Sequence, residues 1–533
     1  MSEDQKRVLE QQLWGIANLL RGKISADDYR DYILGFIFFK YLSEKQYLYA
    51  NDLLEGEEVT DYAKVTDKET LQAIEEESLL KLGYFLKPTE LFSVIAAKGN
   101  ANTEVESNYI IDDLKAVLNH IELSTMGTES EDDFNALFED LDLNSTKIGR
   151  TPEARNTIIV QILNHLDQID FKLKDIDSDV LGDAYEYLIA KFAAGAGKSA
   201  GEFYTPQQVS KILAQIVTTG KSKIKSVYDP TCGSGSLLLR VAKEVEVSEF
   251  YGQEQNRTTY NLARMNMILH DVHFRQFDIK HEDTLEHPQH LDKRFEAVVA
   301  NPPFSAHWKG DANPLFSTDE RFSQYGKLAP KTKADYAFLL HMVHQLADNG
   351  IMATVVPHGV LFRGAAEGTI REYLIKELNY LDAVIGLPAN IFYGTSIPTC
   401  ILVLKKDRYK DAERSRNILF IDASQHFEKV KTQNVLRKED IDKIIDTYKN
   451  RTTEEKYSQI APISRTDAIY RVSTIAENDY NLNIPRYVDT FEEEEAIDLQ
   501  AITEELRTLA TQSKTTDATI ADFCTELGIQ TPF

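Results

Sequence analysis

A hydrophobic run at residues 297–300 stops at an asparagine that is followed by two prolines and a phenylalanine. The run predicts a short buried strand of a parallel sheet. That strand must end at Asn301, because proline has no N–H to continue a ladder. Asn301, Pro302, Pro303 and Phe304 then combine an amide oxygen, a rigid carbonyl and a flat ring. This set offers fixed hydrogen-bond acceptors and a stacking surface, which suits holding a planar nitrogen group.

A glycine-containing turn lies upstream, in the segment "SVYDPTCGSGSLLLR". The pattern predicts a strand ending at Asp229, a loop through residues 233–235 and a helix that opens at Ser236. Glycines let the backbone approach a ligand there, and the free N–H groups of the helix start face it. The sixth place of a dinucleotide fingerprint is a leucine here, and no Gly-Lys-Ser/Thr closes a phosphate loop. The turn therefore indicates a ligand without phosphates.

Two further acids follow at the ends of predicted strands. Glu254 comes 19 residues after Gly235, where a carboxylate can accept two hydrogen bonds from ribose hydroxyls. Asp283 follows the third apolar segment and could accept a hydrogen bond from an adenine amino group. A second glycine segment with a lysine, at residues 192–199, lacks the spacing of an ATP-binding loop. The order of these acids favours a ligand made of ribose and adenine.

These residues need a sheet to position them. From about residue 166, short apolar runs alternate with helical segments, which predicts an open, mostly parallel α/β sheet with helices on both faces. The run "TCILVLKK" follows "LDAVIGLP" too closely for a helix of ordinary length, so we expect one antiparallel strand. Thr205 and Pro206 predict the N-cap and first residue of a helix. We expect three regions: a helical domain at 1–165, a catalytic domain at 166–480 and a helical tail at 481–533.

Composition limits the possible functions. The net charge is −26, from 59 Lys and Arg against 85 Asp and Glu, whereas proteins that hold DNA unaided usually carry a basic surface. Any DNA chemistry should therefore need a partner chain. Three scattered cysteines argue against a disulfide framework or zinc site and suit a reducing cytoplasm. The histidines lack ligand spacing, so no metal site is expected. We see neither a membrane span nor a signal peptide and expect a cytoplasmic protein.

Five segments occur in a fixed order: "GEFYTPQQV" (201–209), "DPTCGSGSLLL" (229–239), "YGQE" (251–254), "EDTL" (282–285) and "NPPF" (301–304). The set closely resembles the S-adenosylmethionine-dependent N6-adenine DNA methyltransferases, and within them the modification subunit of type I restriction–modification systems. The resemblance covers roughly residues 5–480 and implies a Rossmann-like methyltransferase sheet.

The resemblance implies S-adenosyl-L-methionine as the cofactor and assigns residues to it. Those that would close over its methionine moiety are Glu202, Phe203, Tyr204, Thr205, Pro206 and Gln207. Those that would cradle its amino-acid end are Asp229, Gly233, Ser234, Gly235 and Ser236. Glu254 would hold the ribose and Asp283 the adenine. Asn301, Pro302, Pro303 and Phe304 would be catalytic, because acceptors aimed at the hydrogens of the adenine N6 amine favour its attack on the methyl group. The target base would be flipped out of the duplex and stacked on Phe304.

The resemblance also implies partners. These are double-stranded DNA, a specificity subunit that reads the sequence, and a motor–nuclease restriction subunit, with two copies of this chain per specificity subunit. Residues 1–165 would then contact DNA or partners, and residues 481–533 would dock on the specificity subunit. Two alternatives stay open: an Asn-Pro-Pro-aromatic methyltransferase acting on protein glutamine or RNA, and a non-catalytic scaffold that binds S-adenosylmethionine. The helical N-terminal region and "GEFYTP" favour DNA adenine, and the intact "NPPF" argues against the scaffold.

Overall fold

A computed structural model describes residues 3–20, 26–100, 109–174, 180–195, 205–392, 394–431, 433–464, 474–489 and 499–533 of the chain. The chain divides into two compact units, Met1–Val488 and Asp489–Phe533. None of the helices in the described ranges is long and apolar enough to cross a membrane.

The described part of residues 1–165 is mainly helical, as the sequence predicted, and one more helix follows at Val180–Gly195. The helices are α1 (Glu3–Leu20), α2 (Ala26–Leu53), α3 (Lys68–Lys81), α4 (Phe92–Asn100), α5 (Ile111–Ser124), α6 (Glu131–Phe134), α7 (Pro152–Asp167) and α8 (Val180–Gly195). Side chains that accept N–H bonds start two of them: Asp67 caps α3, and Thr151 caps α7 with a proline at the next position. Helix α2 is buried along residues 32–42, so the other helices pack around it.

The rest of the first unit is built on one sheet. Its strands are β1 (Lys223–Asp229), β2 (Glu246–Glu254), β3 (Phe277–His281), β4 (Phe295–Ala300), β5 (Leu346–Pro357), β6 (Leu381–Gly386), β7 (Thr399–Lys405), β8 (Asn417–Asp422) and β11 (Ser458–Pro462), and a separate ribbon holds β9 (Glu428–Lys429) and β10 (Asn434–Val435). The helices between them are α9 (Gln207–Val217), α10 (Ser236–Ala242), α11 (Arg257–Leu269), α12 (Asp335–Gln345), α13 (Gly359–Phe362), α14 (Ala365–Lys376) and α15 (Lys438–Asn450).

The strand order is β11-β8-β6-β7-β5-β4-β1-β2-β3. Strand β7 runs antiparallel to both β5 and β6, which confirms the expected antiparallel strand. The edge strand β11 is also antiparallel, a feature that the sequence pattern did not indicate. Strands β1 to β5 are parallel, so their carboxyl ends meet at one edge of the sheet. The fold is the Rossmann-like α/β sheet that the sequence predicted.

The start of α9 differs from the prediction by one residue. Pro206 is the N-cap, with φ −52° and ψ 136°, and the helix begins at Gln207. Thr205 was therefore wrong as the N-cap. A proline ring fixes φ but leaves ψ free, so proline fits the last extended position as well as the first helical one.

The second unit ends in the 29-residue helix α16 (Leu499–Leu527), in agreement with the predicted helical tail. Its apolar residues form an apolar seam in two groups with spacings of three and four: Ile502, Leu506 and Leu509, and then Ile520, Phe523 and Leu527, with Ser513 and Thr516 at the intervening seam positions. Leu506 is 61% exposed and Leu527 is 73% exposed. A seam with this period is typical of a helix that packs against another helix.

Candidate active site

The carboxyl end of β1 holds a buried carboxylate. Asp229 is 2% exposed, and its Oδ1 accepts hydrogen bonds from the Thr231 backbone N–H at 2.9 Å and hydroxyl at 3.4 Å. Burial raises the pKa of Asp229 to about 7, and the nearby Glu254 carboxylate acts in the same direction. No ion pair reaches Asp229 from the described residues, so this carboxylate is available to a cationic ligand group.

The glycine loop lies directly on strand β2. Gly233 has φ +55° and Gly235 has φ +76°, a backbone region that glycine enters without strain. The Cys232 N–H donates to the Gln253 carbonyl at 3.0 Å, which ties the loop to β2. A Cβ added at Gly252 would lie 3.0 Å from Cys232 Sγ and 2.7 Å from Ile279 Cδ1. The loop therefore rests against a strand position that has no side chain.

Helix α10 opens at Ser236, as the sequence predicted. The Ser236 hydroxyl lies 3.0 Å from the Ser234 hydroxyl. The Ser234 carbonyl accepts a hydrogen bond from the side-chain amide of Asn266 in α11 at 2.9 Å. The loop backbone is thus held from behind by a buried amide, and this support fixes the conformation in which the loop would meet a ligand.

Glu254 ends β2 and joins the loop to the next helix. One carboxylate oxygen accepts the Gly233 N–H at 3.0 Å and the other accepts the Asn256 N–H at 2.8 Å. Burial raises the pKa of Glu254, and the backbone hydrogen bonds oppose that shift. Like Asp229, this carboxylate has backbone donors and no ion pair within the part of the chain that the structure describes.

Asp283 folds the turn after β3. Its Oδ1 accepts the backbone N–H groups of Leu285 at 2.8 Å and Glu286 at 3.1 Å, and its Oδ2 accepts a bond from Gln255 at 3.3 Å. The carboxylate therefore shapes its own loop and faces the residue that follows Glu254.

A cavity of about 410 Å³ opens between these turns. Its lining residues are Pro230, Thr231, Glu254, Gln255, Asn256, Thr259, Glu282, Asp283, Thr284, Leu285, Pro303, Ala306, His307, Trp308 and Phe338. The cavity brings together three residues that the sequence singled out, Glu254, Asp283 and Pro303. The other described candidates are not among the lining residues: Asp229 directly precedes Pro230, residues 233–236 follow Thr231 in the same loop, and Asn301, Pro302 and Phe304 flank Pro303.

The residues of "GEFYTPQ" are only partly described. Glu202, Phe203 and Tyr204 lie outside the described residues. Gln207 donates to Glu186 of α8 at 3.2 Å, so the start of α9 is tied to the helical region. Thr205, Pro206 and Gln207 do not line the cavity.

Asn301 directly follows β4 and is 8% exposed. Its side-chain Oδ1 is buried and accepts no hydrogen bond from any described residue. A buried acceptor without a donor costs free energy, so this oxygen is an unfilled position for a hydrogen-bond donor. The preceding carbonyl, that of Ala300, accepts a bond from the Thr354 hydroxyl of β5 at 3.2 Å.

The turn after Asn301 is held by an aromatic contact and by a carboxylate. The Phe304 ring meets the buried Phe392 ring edge-on at 5.5 Å. The Ser305 N–H donates to Asp335 at 2.8 Å, and Arg363 pairs with the same carboxylate at 2.6 Å. Ser305 takes φ +53°, which a residue with a side chain adopts only when its surroundings require it.

The sequence patterns did not predict that Ala306, His307 and Trp308 line the cavity. Residues 305–335 look polar and loop-like, yet Trp308 stacks on Phe316 at 5.1 Å and meets Phe322 edge-on at 5.4 Å. The signal was present as three aromatic residues within one segment, although their spacing fits neither a helix nor a strand. This cluster fixes Trp308, which lines the cavity together with Ala306 and His307.

Two family models match the chain. One, described as N-6 DNA Methylase, matches residues 176–496, and one described as HsdM N-terminal domain matches residues 9–166. The type I restriction enzyme MpnII methylase subunit of Mycoplasma pneumoniae is 36% identical and covers 99% of this chain and 97% of its own length. The MjaVII methylase subunit of Methanocaldococcus jannaschii is 33% identical over 69% of this chain and 62% of its own length.

Solved structures agree with these matches. The type I restriction-modification system methyltransferase subunit from Streptococcus thermophilus has 42% sequence identity and a TM-score of 0.80, covering 91% of this chain and all of that one. A structure that addresses complex assembly of the type I R-M system shares the fold at a TM-score of 0.60 and 18% identity, covering 96% of this chain and 98% of its own. The chain therefore belongs to the N-6 DNA methylases and, within them, to the adenine-specific methyltransferase subunits of type I restriction–modification systems.

Proposed function

We propose that the chain transfers a methyl group from S-adenosyl-L-methionine to N6 of a flipped adenine within a type I restriction–modification complex. The observation that carries the proposal is the Asn301 oxygen, which is buried and lacks a donor among the described residues. It stands two residues before Pro303, which lines the same cavity as Glu254 and Asp283. The Asn301 oxygen and the carboxylates of the cavity are all hydrogen-bond acceptors. They therefore suit a ligand or substrate that carries an amine.

The described residues fit the proposed cofactor. Glu254 would hold the ribose hydroxyls and Asp283 the adenine amine, since each presents carboxylate oxygens at the cavity. Asp229 and the loop formed by Gly233, Ser234, Gly235 and Ser236 would hold the amino-acid end. A buried carboxylate with a raised pKa and no cation is suited to an ammonium group. Glu202 through Gln207 would close over the methionine moiety. When bound, the cofactor supplies an electrophilic methyl group on its sulfonium.

The residues of the turn after β4 would act on the nucleophile. The adenine N6 lone pair is delocalised into the ring, so the amine is weakly nucleophilic. Asn301 Oδ1 and the Pro302 carbonyl would accept its two hydrogens and stabilise the positive charge that develops on nitrogen. Both prolines limit the motion of these acceptors, because their rings fix φ. The rest of the catalysis is positioning, and no covalent enzyme intermediate is needed.

An adenine inside a duplex does not reach this turn. The proposal therefore includes base flipping, which costs a few kcal/mol of stacking and pairing. Phe304 would stack on the flipped base, since it is half-buried and its edge contact with Phe392 leaves a ring face for another partner. Pro303, also half-buried, would lie between the base and the cofactor cavity.

The acidic charge and the C-terminal helix support the partners that the family implies. A net charge of −26 opposes unaided binding to DNA, so a specificity subunit would supply most of the DNA affinity, with two copies of this chain on each specificity subunit and a motor–nuclease subunit joining them. The apolar seam of α16 suits docking on helices of that subunit. The predicted docking segment, residues 481–533, contains this helix, and residues 1–165 would contact DNA or partners.

The test is methyl transfer to DNA by the chain in complex with its specificity subunit. We expect Asn301→Ala to abolish transfer while cofactor binding persists, because it removes an acceptor for the amine and leaves Glu254 and Asp283 in place. Glu254→Ala should weaken cofactor binding instead. Tritiated methyl incorporation and titration calorimetry measure the two effects.

Asn349→Ala is the matched control, because Asn349 is exposed and its amide bonds Glu296 at the start of β4, at the opposite edge of the sheet. We expect it to retain transfer. Full transfer by Asn301→Ala would contradict the role proposed for Asn301, whereas no transfer by the wild-type complex would support a non-catalytic scaffold.

A further inference from the structure

One arginine in the segment after the catalytic turn is almost completely buried. Arg321 is 2% exposed and pairs with Asp319 at 2.7 Å. Its remaining donors point away from Asp319 towards backbone carbonyls. One terminal nitrogen donates to the Thr284 carbonyl at 3.1 Å, and the other donates to the Leu285 carbonyl at 2.9 Å. A guanidinium can bridge neighbouring carbonyls in this way because its donors lie in one rigid plane.

The two carbonyls belong to the turn that holds Asp283. Glu282, Asp283, Thr284 and Leu285 all line the cavity, and Asp283 accepts the Leu285 N–H at 2.8 Å. Arg321 is absent from the lining and binds this turn from behind. It therefore sets the position of a wall that it does not itself form.

The same segment supplies the facing wall. Ala306, His307 and Trp308 line the cavity, and Trp308 meets Phe322 edge-on at 5.4 Å. The Arg321 guanidinium lies 4.7 Å from the Phe322 ring centre. Arg321 thus contacts both the cluster that holds Trp308 and the turn that holds Asp283, and it ties the two walls together.

A buried histidine extends the connection to β1. Arg321 donates to His341 Nδ1 at 3.2 Å, so the ring proton lies on Nε2, which faces the Tyr228 hydroxyl at 2.9 Å. Burial and the Arg321 charge lower the pKa of His341, which keeps the ring neutral. Tyr228 immediately precedes Asp229, so the chain of contacts ends behind the other carboxylate of the site.

We propose that Arg321 is a positioning residue that sets the spacing of the two cavity walls and so determines the affinity for the adenosine half of the cofactor. This inference rests on the proposed function. It assigns to Arg321 an effect on binding and not on the chemical step, because the guanidinium contacts neither the turn at Asn301 nor the glycine loop.

The test compares Arg321→Lys with wild type in the full chain by titration calorimetry. An ammonium keeps the charge but does not bridge both carbonyls, so we expect the dissociation constant for S-adenosylmethionine to rise about tenfold. 5′-Methylthioadenosine, which lacks the amino-acid end, should lose affinity by the same factor. In complex with the specificity subunit, the turnover rate at saturating cofactor should stay within about twofold of wild type while KM rises.

Arg408→Lys is the matched control. Arg408 is 1% exposed and also binds backbone carbonyls, those of Asn379, Arg414 and Asn417, at the opposite edge of the sheet. We expect it to lower the melting temperature and leave both dissociation constants unchanged. If both variants lost the same affinity for S-adenosylmethionine, Arg321 would act only by stabilising the fold, and the inference would be wrong.

Further outcomes separate this inference from the proposed function. Wild-type protein that binds no S-adenosylmethionine would refute the proposed function, whereas Arg321→Lys that folds and binds as wild type would refute only the inference. If Arg321→Lys does not fold, Asp319→Asn replaces it, because it weakens the ion pair that orients the guanidinium. We expect a rise of about threefold in both dissociation constants there, and unchanged constants overturn the inference.

Discussion

Buried carboxylates occur at both edges of the sheet, and their surroundings differ. At the carboxyl edge, Asp229 and Glu254 are bound by backbone N–H groups and hydroxyls, with no ion pair from the described residues. At the amino edge, Asp382 near the start of β6 is fully buried among three guanidinium groups. The carboxylates at one edge thus lack a basic partner among the described residues, and the carboxylate at the other edge has three.

The Asp382 carboxylate has four protein partners. Arg408 and Arg451 each lie 3.3 Å from Oδ1, Arg414 lies 3.5 Å from Oδ2, and the Tyr448 hydroxyl donates at 3.2 Å. Burial lowers the pKa of Arg408 to about 10, and Asp382 opposes that shift. Each of these side chains has a partner of opposite charge or a hydrogen-bond partner within the protein, so the cluster contributes to the fold.

The comparison teaches how the same residue type serves two purposes. A carboxylate surrounded by arginines stabilises the protein that contains it. A carboxylate that is buried without a cation costs stability and gains its partner only when a ligand binds. Substitutions at the two edges should therefore have opposite effects on stability and on binding.

The largest effect is expected for Asp382→Ala. It leaves the buried Arg408 guanidinium and the partly buried Arg414 and Arg451 guanidinium groups without their carboxylate, so the free energy of unfolding should fall by about 3–5 kcal/mol. Urea denaturation followed by circular dichroism measures this change. The affinity of the folded variant for cofactor should equal that of wild type. If the free energy of unfolding fell by less than about 1 kcal/mol, the cluster would stabilise the protein no more than an exposed ion pair does.

Asp229→Asn should have the reverse effect. It removes a buried charge without a cationic partner, so the cofactor-free protein should keep or gain stability. The dissociation constant for S-adenosylmethionine should rise about 10- to 100-fold, because a charge-assisted hydrogen bond is lost. Calorimetry and thermal unfolding of the same sample measure both changes. If Asp229→Asn lost stability and kept its affinity for S-adenosylmethionine, Asp229 would be a structural carboxylate like Asp382 and the contrast between the two edges would be wrong.

The smallest effect is a dependence on pH. Burial raises the pKa of Asp229 from its ordinary value of 3.8 to about 7 in the folded protein, so the folded state binds more protons between these two pH values. The free energy of unfolding should therefore fall as pH rises through this window. Cofactor affinity should move the other way and rise about tenfold from pH 6 to pH 8, as the carboxylate ionises. S-Adenosylhomocysteine binding measures the trend, and Asp229→Asn corrects for titration of the ligand. The same slope in both proteins would exclude Asp229 as its source.

Local patterns predicted the parts of the site that lie close together in sequence. A strand, an acid, two glycines and a helix start occupy residues 223–242 in the predicted order, and the strand before Asn301 ends where proline requires it to end. The antiparallel β7 was predictable because its connection is too short for a helix of ordinary length. These features depend on backbone chemistry within about 20 residues.

Contacts between distant segments were not predictable from such patterns. Asp382 and Arg451 are 69 positions apart, and Arg321 reaches carbonyls 36 and 37 positions earlier. Nothing in the spacing of these residues distinguishes them from exposed charges, because only the folded sheet makes them neighbours. The Thr205 N-cap was wrong for a local reason, since either of two adjacent residues satisfies the same pattern.

Gly252 of β2 lies directly beneath the glycine loop and limits how closely the loop can approach the sheet. The glycine loop lies so close to β2 that a single methyl group at position 252 would force the Cys232 and Ile279 side chains to move. The space between the loop and β2 is therefore too small for one additional carbon atom. Because residue 252 is a glycine, residues 233–235 can lie this close to the sheet. A single Gly252→Ala substitution would therefore shift the loop without changing any residue that lines the cavity.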